Sequence, residues 1–275
     1  MESTPRENFE RCVEMPDPHI DLCEAALWVA AEEYPALDVS AYLVQLDELA
    51  QSVSERLNQA SSAVDRVAAL NRVLFDEERF TGNRDDYYDP RNSYLNEVID
   101  RRTGIPITLS IVYIGVAERL GLEVAGVSFP GHFLTRVETP ETLIVDPFNG
   151  AVLGASDCQR RLEAASSPGE VLQPAVHLKA ARPREILVRL LSNLKQVFLA
   201  KPDLERAVAC IDRILISMPG AHRELRDRGL VFEQLGLFAA AASDLERFLE
   251  AAPHDDSAPA VAQRLKAVRM RVRIH

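Results

Sequence analysis

The chain has 275 residues, 47% hydrophobic and 27% charged, with 31 basic against 42 acidic side chains. This composition excludes a collagen-like, low-complexity or disordered chain, because the apolar content suffices for a core that offsets the entropy of ordering. The net charge of −11 is concentrated in residues 1–80, which hold 17 acidic and 6 basic side chains. Such a region repels phosphate backbones, so direct nucleic-acid binding is not expected.

Neither a membrane span nor an export signal is predicted. No stretch approaches the roughly 18–20 uncharged apolar residues that cross a bilayer, and the N-terminal run MESTPRENFERCVEM is acidic rather than apolar. We therefore expect a cytoplasmic protein with reduced thiols, since its four cysteines form no CxxC pair. The six histidines show no paired ligand spacing, so neither a metal site nor a cofactor is predicted.

Residues 1–90 are predicted to form an acidic, helical N-terminal region that packs on the core. Apolar residues recur at helical intervals in three segments, IDLCEAALWVAAEEY, AYLVQLDELAQSVSERL and SAVDRVAALNRVLFDEERF. Pro35 separates the first two. A loop is predicted for the next run, TGNRDDYYDPRN, because it is rich in Gly, Asn, Asp and Pro.

Residues 91–180 combine two predicted helices with strands. Gly104 follows the cationic end of SYLNEVIDRRTG, which is a helix stop signal, and Pro106 suits the first turn of the next helix. That second helix, ITLSIVYIGVAERLG, is apolar nearly all round and is therefore expected to be buried. Three strand-like runs follow, EVAGVSF, HFLTRVE and TLIVDPF. A buried helix on a small antiparallel sheet is an α+β core.

Residues 183–275 are predicted to be helical again and contain an internal repeat. Pro219 and Pro253 lie 34 residues apart, which is the length of a tetratricopeptide unit. Counting back from each proline pairs Ala207 with Ala241, Ile211 with Leu245, Phe198 with Phe232, and Leu191 with Leu225. These are the small, aromatic and apolar positions of two antiparallel helices, in which the alanine permits close approach.

The two copies of the repeat depart from the pattern at two positions. Gly229 occupies the glycine position of the second copy, but Lys195 occupies it in the first. Arg228 replaces the usual apolar residue in the second copy. Residues ~258–273 are predicted to form a capping helix.

The candidate site combines a helix start, a histidine and an aspartate. Pro106 begins the buried helix, His132 begins a predicted strand, and Asp146 ends the next. A cysteine at such a helix start would complete a triad, because the helix dipole lowers the thiol pKa, the histidine takes the proton and the aspartate orients the histidine. Proline has neither thiol nor hydroxyl, so covalent catalysis from this position is impossible. If His132 and Asp146 pair, the carboxylate would hold the imidazole tautomer and raise its pKa.

Longer motifs around these residues indicate a family. They are DDYYDPRNSYLNEVIDRRTGIPITLSIVYIGVAERLGL, GVSFPGHFLTRV and VDPFNGAVL. Together they resemble the bacterial transglutaminase-like family with C-terminal tetratricopeptide repeats, of the regulator of sirC expression type, over residues ~40–255. The resemblance implies a helix-rich α+β fold, with a transglutaminase-like (papain-like) core and small antiparallel sheet followed by an all-α repeat region. It also implies that proline at the nucleophile position is a family trait, so that its members look like pseudoenzymes or enzymes of another mechanism.

Three further residues are candidate ligand contacts. Asn92 could present its amide to a ligand, as an oxyanion donor does, or cap the helix that follows it. Tyr88 could wall a cleft or pack on the core. Ser110 lies one turn beyond Pro106 and could face the site, although a serine in an apolar helix more often donates to the carbonyl four residues earlier.

Two functions remain open. The first is a non-catalytic protein-interaction or regulatory protein on a pseudo-transglutaminase scaffold, with a protein or peptide partner bound through the repeat region. The second is a hydrolase or acyl transferase that uses a His132/Asp146 general-base dyad. The sequence favours the first, because Pro106 occupies the nucleophile position and the repeats are of a kind that binds proteins. The partner and the oligomeric state stay open.

Overall fold

The computed structural model describes residues 3–166 and 169–272. The chain divides into two compact units, residues 1–187 and 188–275. The predicted N-terminal helical region and the predicted α+β core therefore lie within one unit. Among the described residues, no helix combines the length and the apolar character needed to cross a membrane.

Four capped helices open the first unit. They are α1 (Pro5–Glu14), α2 (Leu22–Ala31), α3 (Val39–Ser54) and α4 (Ala63–Asn71). The side chains of Thr4, Asp21, Asp38 and Ser62 each accept a hydrogen bond from a backbone N–H in the first turn of the helix they precede. The sequence pattern indicates the last three helices, whereas α1 buries only Phe9 and Val13, too few apolar residues to show a period.

The middle of the first unit leads into its central helix. A π-helical turn, Arg72–Glu77, continues α4. Short strand β1 (Thr81–Gly82) then pairs in parallel with β2 (Thr103–Gly104). Between these strands lie a 3₁₀ turn (Pro90–Asn92) and α5 (Leu95–Arg101), and α6 (Pro106–Arg119) follows. As its apolar sequence predicts, α6 is buried all round from its first residue to Ala117.

An antiparallel sheet of five strands completes the first unit. The strands are β3 (Val124–Val127), β4 (Leu134–Val137), β5 (Leu143–Asp146), β6 (Ala151–Leu153) and β7 (Ala180–Ala181), in the spatial order β6-β5-β4-β3-β7. The three predicted runs form its centre, and the short edge strands β6 and β7 were not predicted. Helix α6 packs on β3 and β4, while α7 (Ala155–Ala165) places Cys158 and Leu162 against Phe129 and Leu134. A single turn, α8 (Pro174–His177), precedes β7.

The repeat region is entirely helical. Its helices are α9 (Pro183–Ala200), α10 (Leu204–Ser217), α11 (His222–Gln234), α12 (Phe238–Ala251) and α13 (Ala258–Val272). The paired alanines Ala207 and Ala241 and the paired Ile211 and Leu245 are all fully buried. The 34-residue spacing thus corresponds to two helical hairpins, and α13 occupies the predicted capping position.

Ion pairs account for the two departures from the repeat pattern. Lys195 Nζ lies 2.7 Å from Glu224 Oε1 and 3.1 Å from Asp227 Oδ2, both on α11. Burial alone would lower the pKa of Lys195, but these carboxylates outweigh it and raise the pKa. Arg228 lies 2.6 Å from Asp212 Oδ1 on α10 and 2.6 Å from Asp244 Oδ2 on α12. Charged residues at apolar positions therefore link neighbouring helices, since each has its counter-charge.

Gly229 lies where α11 and α12 pack closely together, and its replacement tests that packing. A Cβ there would lie 2.8 Å from Leu245 Cδ2 and 3.3 Å from the Ala241 carbonyl oxygen. We expect Gly229→Ala to lower the free energy of unfolding by about 1–3 kcal/mol because the site is overpacked, as measured by urea denaturation of the full chain. Gly220→Ala is the matched control, because no atom lies within 4 Å of the added Cβ. Equal effects of the two substitutions would contradict the close contact.

Candidate functional site

The structure brings His132 and Asp146 together. His132 lies in the turn before β4, and Asp146 is the last residue of β5, which pairs with β4. The His132 Nε2 atom lies 2.9 Å from Asp146 Oδ1. The histidine side chain is 14% exposed and the aspartate side chain 0%. A buried carboxylate thus orients a histidine that retains limited access to solvent.

Asp146 has hydrogen-bond and ion-pair partners besides His132. Its Oδ1 also accepts hydrogen bonds from the backbone N–H groups of Phe148, at 3.1 Å, and Asn149, at 3.3 Å. Its Oδ2 accepts from the Asn149 amide and lies 2.6 Å from Arg161 Nη2. Burial alone would raise the pKa of Asp146, but His132, Asn149 and Arg161 outweigh it and the pKa is lowered. The carboxylate is therefore ionised at neutral pH and accepts the hydrogen bond from the His132 Nε2–H group.

Two supporting residues of this pair were not identified from the sequence. Arg161 lies on α7, and nothing in its local sequence distinguishes it from the neighbouring Arg160, which pairs with Asp157 instead. Asn149 lies in the turn after β5, and its side-chain amide donates to Asp146 Oδ2. Only their proximity to the buried Asp146 carboxylate identifies these residues, and that proximity arises from the tertiary structure rather than from a local sequence pattern.

Pro106, the position at which the sequence motifs lead us to expect the nucleophile of a triad, is the buried first residue of α6. The helix start is closed by Thr108, whose Oγ1 accepts from the Ile105 N–H at 3.1 Å and donates to the Asn92 carbonyl at 2.7 Å. Proline suits this position because its missing N–H would have no partner inside the helix. The residue is therefore integrated in the helix cap and contributes no reactive atom.

Burial raises the pKa of all four cysteine thiols. Burial raises the pKa of Cys12 and of Cys210 to about 12, and it also raises the pKa of Cys23 and of Cys158. Cys23 contacts α6, but at Gly115 and the Ile111 carbonyl rather than at the helix start. Since the thiolate is the nucleophilic form, burial lowers the reactivity of these thiols at neutral pH.

Asn92 is engaged within the protein. It is fully buried, and its amide donates to the carbonyls of Asp86, at 2.7 Å, and Tyr87, at 3.3 Å. Its Oδ1 accepts from Asn83 at 3.1 Å and from Arg101 at 3.3 Å. Helix α5 begins instead after Tyr94, without a side-chain cap, so the expected capping role of Asn92 was wrong. The side chain holds the preceding loop and presents no atom to a ligand.

Ser110 and Tyr88 lie in contrasting environments. Ser110 is fully buried, and its Oγ has no hydrogen-bond partner among the described residues, so the expected bond to the preceding turn is absent. It is inaccessible to a ligand in this structure. Tyr88 is 71% exposed and packs edge-on against Tyr87, with ring centroids 5.4 Å apart. Tyr88 therefore does not pack on the core.

A polar cleft of about 380 Å³ lies between segment 81–85 and the turn at Phe148 and Asn149. The Phe148 ring stands edge-on to His132, with centroids 5.9 Å apart. Phe148 and Asn149 both contact Asp146, so the wall of the cleft is also the support of the dyad. Among the described residues, no group of three or more His, Cys, Asp or Glu side chains could hold a metal ion.

Gly82 leaves the space that the Phe148 ring fills. A Cβ at Gly82 would lie 2.3 Å from a ring carbon of Phe148, so Gly82→Ala must displace the ring from His132. We expect a loss of about 1–3 kcal/mol in unfolding free energy and a changed chemical shift of the His132 imidazole by NMR. In a Phe148→Leu background, Gly82→Ala should lower the unfolding free energy by less, because the smaller leucine side chain can move away from the added Cβ. If Gly82→Ala destabilises the Phe148→Leu protein as much as the wild type, contact with the Phe148 ring is not the cause of the destabilisation.

The fold and the His–Asp pair define a transglutaminase-like domain, which tetratricopeptide repeats follow. The sequence model described as the transglutaminase-like superfamily matches residues 40–192, and a tetratricopeptide repeat model matches residues 194–266. The first match covers more than half of the chain, which therefore belongs to the transglutaminase-like superfamily.

Relatives extend over nearly the whole length. A UPF0162 protein of Xylella fastidiosa is 42% identical over 251 residues, covering 86% of each chain. A UPF0162 protein of Pseudomonas aeruginosa is 37% identical over 228 residues, covering 83% of each. Protein SirB1 of Salmonella typhimurium is 29% identical over 238 residues, covering 85% of this chain and 87% of SirB1. No solved structure matches. The family predicted from the motifs is confirmed.

Proposed function

We propose that this chain is a non-catalytic protein-interaction and regulatory protein built on a transglutaminase-like scaffold. The observation that carries this proposal is Pro106 at the start of α6. A proline there offers no nucleophile, so the His132/Asp146 pair has no adjacent thiol or hydroxyl to activate at that position. The raised pKa values of the four cysteines support it further.

The repeat unit offers a surface for a partner. Residues 236–240 and Val272 line an open, largely apolar groove of about 690 Å³. Leu237 in this groove is 51% exposed, and the Arg271 guanidinium lies 5.3 Å from the Phe238 ring centroid. Repeats of this class generally present extended binding surfaces. Apolar side chains of a protein or peptide partner would fill the groove, and the resemblance to the regulator of sirC expression type supports a regulatory outcome.

The test is partner capture from bacterial extract with the full chain, followed by a titration with the purified partner. Leu237→Glu places a charge in the groove, so we expect it to weaken binding about tenfold or more, as an unpaired charge at an apolar contact does. Val152→Glu is the matched control, because Val152 is a 49% exposed apolar side chain in the first unit. Failure to enrich any partner, or equal binding by both variants and the wild type, would refute the proposal.

The geometry of the dyad favours a second candidate function, a hydrolase or acyl transferase with His132 as general base. The observation that favours it is the 2.9 Å contact between His132 and Asp146, which orients the imidazole for proton transfer from a water molecule or an incoming nucleophile. General-base catalysis alone contributes about 10²–10⁴-fold. A panel of ester, amide and thioester substrates tests it. Activity that His132→Ala abolishes would support this function, whereas equal rates for variant and wild type would exclude it.

A further inference from the structure

Two neighbouring tyrosines are exposed on the loop that precedes α5. Tyr88 is 71% exposed and Tyr87 41%. Every other Phe, Tyr or Trp of the described residues is buried or half-buried. Exposed aromatic side chains of this size are enriched at the centres of protein interfaces, where they contribute most of the binding energy. We name the segment Asp85, Asp86, Tyr87 and Tyr88 the aromatic–acidic loop.

Hydrogen bonds from buried and neighbouring side chains fix the backbone of the aromatic–acidic loop. The buried Asn92 amide donates to the carbonyls of Asp86 and Tyr87, at 2.7 and 3.3 Å. The Asp86 N–H in turn donates to Asn83 Oδ1 at 3.0 Å. A loop with its backbone fixed in this way loses little conformational entropy when a partner binds. The two tyrosines are thus displayed on a preorganised backbone.

The charges of the loop select the kind of partner. The two arginines that flank the loop are already engaged. Arg84 lies over the Phe148 ring and donates to Asn149, and Arg91 pairs with Asp89 at 2.7 Å. Asp85 and Asp86 are exposed, and within the described part of the chain neither forms an ion pair. The unbalanced charge beside the tyrosines is therefore negative. The faces of tyrosine rings also attract Arg and Lys side chains.

We propose that the aromatic–acidic loop is a docking surface for a basic segment of a partner protein. Arg or Lys side chains of that segment lie over the Tyr87 and Tyr88 rings and pair with the carboxylates of Asp85 and Asp86. The backbone of the loop stays as it is, since Asn92 holds it. This surface lies on the first unit and is separate from the groove proposed on the repeat unit, so each surface is tested without the other.

The experiment measures binding of fluorescent peptides to the full chain by anisotropy at low salt. One peptide carries Arg and Lys interspersed in Gly and Ser, and the other carries Glu at the same positions. We expect saturable binding of the basic peptide below about 1 mM and none of the acidic peptide. Tyr87→Ala/Tyr88→Ala and Asp85→Asn/Asp86→Asn should each weaken the basic peptide at least about fivefold, whereas Tyr88→Phe keeps the ring and should change the affinity less.

The control separates a specific surface from net charge. Asp76→Asn/Asp256→Asn also removes two negative charges, but at exposed positions outside the loop. It should therefore leave the affinity for the basic peptide within about twofold of the wild-type value. Equal weakening by this control and by the aspartate variant of the loop would overturn the proposal, as would loop variants that bind like the wild type. Absence of measurable binding of the basic peptide would overturn it too. Circular dichroism of each variant confirms that the fold is retained, which the exposure of all these side chains favours.

Discussion

Asp146→Ala is expected to lower the unfolding free energy of the first unit by about 3–5 kcal/mol, since it leaves buried donors and a cation without their partner. The carboxylate is 0% exposed and pairs with His132 and Arg161. It also accepts hydrogen bonds from two backbone N–H groups of the turn that follows. Urea denaturation of the full chain, followed by circular dichroism, gives the measurement. The turn at residues 147–150 should also lose protection from hydrogen exchange.

Asp47→Ala is the control for this effect. Asp47 pairs with Arg119, but its side chain is 63% exposed, and exposed ion pairs contribute only about 0–1 kcal/mol. If Asp146→Ala costs no more than Asp47→Ala, the buried carboxylate does not organise the site as described.

The lowered pKa of Asp146 makes the same contact sensitive to acid. Because the folded-state pKa lies below the unfolded value of about 3.9, the stabilisation is fully present above that value. It is lost as the pH falls through the folded pKa. Asp146→Asn should therefore show a shallower loss of stability between about pH 5 and pH 2 than the wild type. Parallel stability curves for the two proteins would contradict a lowered pKa.

Pro106→Cys is expected to create a thiol with a pKa below the ordinary value of about 8.5, in the range of about 4–7 that helix N-termini and neighbouring histidines produce. The rate of alkylation by iodoacetamide as a function of pH measures it. The background is low, because the pKa of every native cysteine is raised.

His132→Ala in the Pro106→Cys background separates the two causes. Removal of the imidazole should bring the thiol pKa back toward 8.5, since only the helix dipole then remains. A Pro106→Cys thiol that titrates at or above 8.5 regardless of His132 would show that position 106 is not aligned with the dyad. The proposal that Pro106 occupies the position of a nucleophile would then lose its support.

Features that depend on local periodicity were predictable. The apolar run after Pro106 indicated a buried helix because its polar positions are too few to leave a solvent-facing side. The spacing of Pro219 and Pro253 indicated two helical hairpins, because one repeat unit specifies both its helices and its contact with the next. Strands β3, β4 and β5 were indicated by apolar runs between turn residues, whereas β6 and β7 are too short to show a pattern.

Contacts between distant segments were not predictable in the same way. Arg161 reaches Asp146 from α7, and the expected ligand contact Asn92 is instead the centre of a hydrogen-bond network between the loop and the start of α6. The repeat pattern does not explain the charged residues Lys195 and Arg228, whereas their carboxylate partners on neighbouring helices do. No periodicity encodes such pairs, because they depend on the relative placement of whole elements.

The sequence by itself determined the helix-rich character, the repeat, the family and the absence of a nucleophile at position 106. Each of these is a property of residue identity or of local spacing. Only the tertiary structure decided that His132 contacts Asp146 and that Arg161 pairs with the same carboxylate. It also decided that Asn92 is buried while Tyr88 is exposed. The physical reason is that burial and charge pairing arise between residues far apart in the chain, once the sheet and α7 have closed around one carboxylate.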